Sequence, residues 1–512
     1  MLLHVHNHAQ EKPDTTAYKM MPSGEVVTFA DFEQRSNQCA HLLRECGLKR
    51  GDVIAILLEN HPRYFEISLS AERSGLYFTG ISTHLSAKEA AYIVADSDAK
   101  VLFASRKTLS VALEVAAGQP GLIVFLVDGS AEGARDYVAQ RDAQPVTPIP
   151  DESMGGPMLY SSGTTGRPKG VKFDLPDTRI DEMDPLTQLS HSRFGFENGM
   201  IYLCPAPMYH AAALRWSLSV MKLGGSVIVM EKYDPELALE LIEKEKITHS
   251  QWVPTHFIRM LKLPEEQRTR YDLSSHKTAL HAAAPCPVGI KEQMLEWWGP
   301  MIYEYYAGTE FNGMTIITPE EWLAHKGSVG QAKFGILHIL SEDGEELPPR
   351  KEGAIFFEGG NQFRYHKDDA KTAGSYNDKG WSTLGDIGWV DEDGYLYLTD
   401  RKSFMIISGG VNIYPQEIED VIVTHPKVAD VAVIGAPDPD LGERLVAVVQ
   451  PLDMSDAGED LAADIQEHVL QHLGKIKLPR QIDFLEALPR LPTGKLFKRQ
   501  LRDEYWKDTK GA

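Results

Sequence analysis

Apolar residues along the chain switch between two periods, and the switches mark out elements. Phe32, Cys39, Leu42, Leu43 and Cys46 recur at helical spacing up to Gly47, and Thr28 with Asp31 ahead of them has the pattern of a capping box. A continuous apolar run at 53–58 then predicts a strand in a sheet covered on both faces. Ser86 with Glu89 offers a second capping box, before a short strand at 101–104. Asp234-Pro235 reads as N-cap plus first-turn proline, opening a helix to about 246. This alternation predicts an α/β fold with mostly parallel sheets flanked by helices.

After about Asp400 the texture changes. Pro415 starts a helix carrying Glu417, Glu419 and Asp420, a strand follows at 431–435, and another helix covers roughly 461–473. A basic, loop-like tail surrounds Leu491-Pro492-Thr493-Gly494-Lys495. We expect a large N-terminal domain over 1–400 and a small α+β domain over 401–512, joined at Asp400-Arg401-Lys402. A chain of 512 residues exceeds one compact core, which agrees with at least two domains.

Charge narrows the function classes. With 52 basic and 73 acidic side chains the formal net charge is -21, and a nucleic-acid binder would need a basic face to release phosphate counterions. Cys39, Cys46, Cys204 and Cys286 form no Cys-x-x-Cys pair and read as buried free thiols, which fits a reducing cytoplasm. The start of the chain lacks the charged and apolar regions of a signal peptide, and apolar runs such as 122–127 are far short of the ~20 residues a bilayer span needs. His4, His6 and His8 alternate, but with no Cys or acidic neighbour they read as a frayed, solvated terminus rather than a metal site.

The densest chemistry lies in Tyr160-Ser161-Ser162-Gly163-Thr164-Thr165-Gly166-Arg167-Pro168-Lys169-Gly170. Glycines let backbone amides approach an oxyanion, hydroxyls add donors, and Lys169 adds positive charge. The spacing is not that of a P-loop, which weakens a kinase-like reading.

This loop resembles the signature of the adenylate-forming enzymes: acyl-CoA synthetases, aryl-CoA ligases, firefly-type luciferases and the adenylation domains of peptide synthetases. Further segments match in order. Pro207-Met208-Tyr209-His210 is similar to the family's aromatic-His segment, Ala283-Ala284-Pro285 to its Ala-Ala-Pro turn, and Tyr306-Ala307-Gly308-Thr309-Glu310 to its Tyr-Gly-x-Thr-Glu segment. Thr383-Leu384-Gly385-Asp386 resembles the Thr-Gly-Asp segment with Leu384 intervening. Asp400-Arg401-Lys402, Gly409-Gly410 and Pro492-Thr493-Gly494-Lys495 complete a set that spans nearly the whole chain.

The resemblance implies roles, each with a physical reason beside it. Ser161, Ser162, Gly163, Thr164, Thr165, Gly166 and Lys169 would hold ATP phosphates, with Thr165 also counted as catalytic, and Ala283, Ala284 and Pro285 would border the nucleotide. Tyr306 would stack on adenine, Thr309 would meet a phosphate oxygen, and Asp386 would accept both ribose hydroxyls. Arg401 would add a charged contact. Glu310 would be the Mg²⁺ carboxylate, since a hard cation bridging phosphates takes oxygen ligands. Lys495 would stabilise the charge that builds between the attacking carboxylate and the α-phosphate, worth about 3–4 kcal/mol by analogy with other charge-stabilising donors. His210 would act beside the acid. The acyl pocket would draw on His210, Ala211, Leu214, Trp252, Ala282, Ala307 and Gly308. Asp400 would be the hinge of a mobile C-terminal domain, and Gly409-Gly410 would border the CoA channel.

The implied reaction takes a small carboxylic acid, ATP, Mg²⁺ and CoA, and the resemblance leaves room for a homodimer. Residues 210–216 contain no acidic group to hold a substrate amine, which disfavours an amino acid. Small residues at 211–213 and 282–283 favour a medium- or long-chain or otherwise bulky apolar acid. Two rivals stand beside this reading: an enzyme that loads a carrier protein, and a non-catalytic nucleotide-binding regulator on the same scaffold. Two departures from the family pattern stand out. Lys172-Phe173-Asp174-Leu175-Pro176 replaces the usual Thr-His or Ser-His, opening a polar stretch to about 188, and Tyr305 replaces the glycine before the adenine-stacking aromatic.

Overall fold

Thr28 caps the helix Phe29–Glu45 as its sequence predicts: Thr28 Oγ1 accepts from the Asp31 amide at 3.1 Å, and Asp31 Oδ2 accepts from the Thr28 amide at 3.3 Å. Ser86 and Glu89 do the same for the helix Ala87–Asp96. Asp234 caps Pro235–Lys244 by accepting from the Leu237 amide at 2.9 Å. The structure, a computed structural model, describes residues 4–161, 168–401, 404–490 and 496–507, with only the backbone of Ser161 and Arg401. It divides into two compact units. The first comprises Met1–Trp252, Glu265–Leu280 and Phe363–Ala373, and the second Val253–Pro264, His281–Gln362 and Gly374–Ala512.

The first unit holds the parallel sheets. Val53–Leu57, buried at every position, pairs in parallel with Tyr77–Gly80 and Ala99–Ala104 inside a six-stranded sheet. In the other large sheet Ile201–Cys204, Ser226–Met230 and Thr16–Met21 run parallel in that order, His249–Trp252 extends one side, and Val26–Thr28 turns back antiparallel. A third, antiparallel sheet joins Leu159–Ser161, Lys169–Lys172 and Arg364–Tyr365.

The amino-terminal stretch corrects the expectation of a frayed tail. It forms the helix Val5–Glu11, with His4 and His8 buried. Spacing of four places those two histidines on one helical face, where His8 Nε2 donates to Lys222 O at 2.8 Å. His6 Nδ1 lies 3.2 Å from Glu33 Oε1, so the missing acidic partner comes from a distant part of the chain. Of the cysteines, Cys39 and Cys204 are buried, whereas Cys46 and Cys286 are only half-buried.

The second unit is built mainly from antiparallel ladders, although Gln481–Phe484 pairs in parallel with Gly442–Pro451. Ile302–Ala307, Met314–Ile317 and Gln331–Phe334 form one. Ile336–Leu340, Gly353–Glu358, Asp386–Val390 and Leu396–Arg401 form a four-stranded sheet. The last five-stranded sheet has Gly442–Pro451 between Val428–Asp438 and Gln481–Phe484, with Ile406–Ser408 and Val411–Ile413 beyond. Its helices are Pro415–Ile422, Glu459–His472 and Lys498–Tyr505. Ala432, Ile434, Val446, Val448, Leu488 and Leu501 pack into its core. The strand expected at 431–435 is therefore the middle of a longer one. No helix among the described residues is long and apolar enough to cross a membrane.

Candidate functional site

In the first unit, the strands that flank the glycine- and hydroxyl-rich segment pair with each other. Ser161 stands opposite Lys169 in the antiparallel ladder of Leu159–Ser161 with Lys169–Lys172. Ser162, Gly163, Thr164, Thr165 and Gly166 lie outside the described residues. Lys169 Nζ sits 5.4 Å from the Tyr365 ring centroid, a cation–π contact on the neighbouring strand. A Cβ at Gly170 would come 2.8 Å from Met158 Cε and 3.0 Å from the Tyr160 ring, so a larger residue there would displace those side chains. Tyr160 donates to Asp96 Oδ2 at 2.6 Å; burial and that carboxylate push its phenol pKa up.

The departure at 172–176 is anchored rather than loose. Tyr77 donates to Phe173 O at 2.6 Å and Arg50 to Pro176 O at 2.9 Å. Within the polar stretch that runs to about 188, Asp184 caps the helix Pro185–Phe194.

His210 closes a turn in which its amide donates to Pro207 O at 3.0 Å, and its ring packs on Tyr209 with centroids 4.7 Å apart. The helix Ala211–Lys222 begins directly after it and carries Ala211 and Leu214. Trp252 ends its strand in the core, 1% exposed, with its indole N–H on Ser250 Oγ at 2.5 Å.

The second unit brings together more of the predicted residues. Tyr306 donates to Asp386 Oδ2 at 2.7 Å, and its ring stacks near Phe357 at 6.5 Å. Asp386, 9% exposed, is the first residue of its strand, and its ladder partner is Arg401. Asn312 Nδ2 reaches Ser382 Oγ at 3.1 Å, and a Cβ at Gly308 would sit 2.1 Å from Leu384 Cδ1. These contacts tie the segment containing Tyr306, Thr309 and Glu310 to the one containing Asp386. Asn312 was not singled out by sequence, although its place two residues after Glu310 is a signal in hindsight.

Ala283 adopts φ +78°, a left-handed conformation unusual for a residue with a Cβ, at the start of the Ala-Ala-Pro turn. Ala282 before it is buried, while Ala283 and Ala284 are exposed. Beneath the turn lies a charge network that sequence reasoning missed. Lys291 Nζ, fully buried, donates to Glu304 Oε2 at 2.6 Å, and His281 Nε2 stands 3.2 Å from the same oxygen. Burial alone would raise the Glu304 pKa, but His281 and Lys291 overcome it and hold the carboxyl down at about 2. Burial pushes the His281 pKa down, against the opposite pull of the Glu304 carboxylate. Glu304 stands two residues before Tyr306 on one strand, hence on the same face. One charged residue in Ile302-Tyr303-Glu304-Tyr305 was the available clue.

Asp400 Oδ2 accepts from the Gln416 amide at 3.2 Å, at the start of the helix Pro415–Ile422. Gly409 and Gly410, at φ +58° and +81°, are the two-residue turn between Ile406–Ser408 and Val411–Ile413. Positive φ at both central positions is what such a tight hairpin demands. Lys495 lies outside the described residues.

The family model for AMP-binding enzyme matches residues 5–365. The chain belongs to the AMP-binding enzyme family. A second model, AMP-binding enzyme C-terminal domain, matches residues 417–495. The long-chain-fatty-acid–CoA ligase FadD13 of Mycobacterium tuberculosis is 31% identical over 505 residues, 97% of each chain. The fatty acid–[acyl-carrier-protein] ligase ScoC of Streptomyces coeruleorubidus is 30% identical over 508 residues, 98% of this chain and 96% of ScoC. Among solved structures, ATP-bound MatB from Rhodopseudomonas palustris matches with a TM-score of 0.81 at 26% identity, covering 99% of this chain and 100% of MatB. This AMP-binding enzyme is accordingly an adenylate-forming acid–thiol ligase, with the large α/β domain and small C-terminal domain of that fold.

In an AMP-binding enzyme, Glu310 fits a magnesium ion. It is 6% exposed and supplies a hard oxygen donor, and Mg²⁺ is commonly held by one or two carboxylates plus substrate phosphates and water. Among the described residues His325, Asp391 and Asp393 also lie at ligand spacing, and hydrogen bonds of the turn engage Asp391. Asp391 Oδ1 accepts the amides of Asp393 and Tyr395 at 3.0 and 2.9 Å, and Oδ2 accepts from His325 Nδ1 at 2.8 Å. Those bonds close the turn between Asp386–Val390 and Leu396–Arg401.

Proposed function

We propose that the chain converts a carboxylic acid, ATP and CoA into acyl-CoA, AMP and pyrophosphate. The acid's carboxylate oxygen attacks the α-phosphorus, and the bond to the bridging oxygen breaks in favour of pyrophosphate. The CoA sulfur then attacks the acyl carbon, its proton goes to solvent, and AMP leaves with the electron pair of the C–O bond. Substrate supplies both nucleophiles, so no protein nucleophile is required.

The observation that supports this best is the hydrogen bond from Tyr306 to Asp386, with Arg401 as the ladder partner of Asp386. It sets an aromatic face beside a nearly buried carboxylate, the pairing that adenine and ribose hydroxyls call for. Glu310 would hold Mg²⁺, which neutralises phosphate charge. Ser161–Gly166 and Lys169 would hold the phosphates, Ala283–Pro285 and Thr309 would border the nucleotide, and Lys495 would stabilise charge at the α-phosphate. His210, Ala211, Leu214, Trp252, Ala282, Ala307 and Gly308 would face a medium- or long-chain or bulky apolar acid. In this reading residues 1–400 and 401–512 are the working domains. Rotation at Asp400 withdraws Lys495 and brings Gly409-Gly410 to the CoA channel.

The similarity to ScoC favours one alternative acceptor, a carrier protein. Incubation with ATP, Mg²⁺, CoA and a panel of carboxylic acids tests both readings. AMP with acyl-CoA is the expected product, AMP only with a carrier protein present selects the alternative, and ADP contradicts both.

A further inference from the structure

Asn60 stands at a junction that no part of the proposed chemistry uses. It follows Val53–Leu57 and is 8% exposed. Its Nδ2 donates to Met230 O at 2.7 Å and to Ala206 O at 3.1 Å, while its Oδ1 accepts from the Met208 amide at 2.7 Å. The amide orientation is determined by these partners, because a flipped side chain would set oxygen against two carbonyls and nitrogen against an N–H.

Its partners lie at equivalent places in the fold. Val53–Leu57, Ile201–Cys204 and Ser226–Met230 are strands of parallel sheets, and Asn60, the 205–210 turn and Met230 lie at their C-terminal ends. That is the edge at which parallel α/β sheets present their ligands. The side chain therefore connects the ligand-facing edges of both large sheets in the first unit, and it does so through the backbone of the turn carrying Tyr209 and His210.

The turn is also held from a second side. A Cβ on Gly80 would come 3.0 Å from Tyr209 Cα and 2.6 Å from Tyr64 Oη. Met208 is fully buried, so the turn has a packed anchor between Asn60 and its two aromatic rings. Losing the Asn60 amide would leave an N–H and two carbonyls without this partner in a site largely closed to water, and the turn can recover hydrogen bonds only by moving outward.

We propose that Asn60 is a positioning residue for acid binding, fixing the 205–210 turn so that Tyr209 and His210 stand at one place on the ligand-facing edge. This rests on the acid-binding role proposed for His210. It makes Asn60 a determinant of acid affinity that need not touch the acid.

The test uses full-length protein and Asn60→Ala, with decanoate, benzoate and cinnamate as probe acids. Steady-state AMP release is expected to show a KM for acid raised tenfold or more, with the KM for ATP within twofold of wild type. Hydrogen–deuterium exchange reads the positioning without the reaction: exchange at 206–210 should quicken at least tenfold while exchange at 53–57 stays unchanged. Equal rises in both KM values, or unchanged exchange at 206–210, would overturn the proposal. If wild type releases no AMP with these acids, the functional reading has failed for them and the exchange result alone decides the role of Asn60. Should Asn60→Ala fail to fold, Asn60→Asp, which keeps an acceptor for the Met208 amide, carries the same two measurements.

Discussion

Tyr306 donates its hydroxyl proton to Asp386 Oδ2, and the proposed nucleotide site sets this pair against adenine and ribose. Asp386→Asn retains the shape and an acceptor but loses the charge and half the acceptor capacity. We predict a rise in the KM for ATP of at least tenfold, equivalent to about 1.4 kcal/mol, with a smaller change in the KM for acid. Steady-state AMP release measures both, and an unchanged KM for ATP would remove Asp386 from the ribose site. The network under the Ala-Ala-Pro turn makes a different kind of demand. Lys291→Met leaves the buried Glu304 carboxylate without its closest cation, so stability should fall by about 3–5 kcal/mol in urea unfolding. Acid acts on the same group. Because the folded-state pKa of Glu304 is depressed from 4.5 to about 2, its contribution is complete above pH 4.5 and fades as pH falls through about 2. A titration of stability over that interval should be steeper in wild type than in Glu304→Gln. The clue to this network in sequence was a single Glu in an aromatic strand, because both of its partners come from other elements.

At the scale of elements, patterns that close within a few residues were legible. Capping boxes at Thr28 and Ser86, the Asp234-Pro235 helix start and the 53–58 strand all rest on contacts three or four positions apart, or on uniform burial. What sequence did not show were partners fixed by topology. The helix Pro415–Ile422 reads as acidic, yet Glu419 is buried and accepts from Lys498 Nζ at 2.7 Å and from the Val433 amide at 2.6 Å. Asp420 beside it keeps one hydrogen bond, from Gln416 Nε2 at 2.8 Å. Burial pushes its pKa up to about 7, with Glu419 and Asp400 adding to the rise and Gln416 and Lys498 opposing it. The sign follows from the raised value. Below about pH 4 the carboxyl is protonated in both states; between there and about 7 the unfolded chain ionises first and stability falls; above 7 the loss is complete. Asp420→Asn keeps an acceptor for Gln416 and removes the ionisation. Its urea midpoint should exceed that of wild type at pH 8 and match it near pH 4. Parallel profiles for the two proteins would contradict the raised pKa of this acid.

For the whole molecule, the order of motifs was the strongest signal in the sequence, since segments from Ser161 to Lys495 follow the family sequence of parts and the family models cover 5–365 and 417–495. Motif order does not reveal that the chain folds into units which interleave along it, with 253–264 and 281–362 grouped with the C-terminal residues. Nor does it reveal the antiparallel ladders after Ile302, whose register depends on distant neighbours. It does support a division of labour in time. If Lys495 serves only adenylation and leaves before the thiol attacks, its charge is required where negative charge builds at the α-phosphate and is irrelevant to displacement of AMP. Lys495→Ala should then slow acyl-adenylate formation by two to three orders of magnitude, roughly the effect of removing a single charge-stabilising donor. Thioester formation from supplied acyl-adenylate and CoA should stay near the wild-type rate. The two half-reactions are separable experimentally, by pyrophosphate release without CoA and by AMP release from synthetic acyl-adenylate. Equal loss in both would mean that Lys495 remains at the site throughout, or supports the fold of the C-terminal domain. The second possibility is checked by unfolding the variant in urea, because a lysine acting only on the reacting charge leaves the midpoint unchanged.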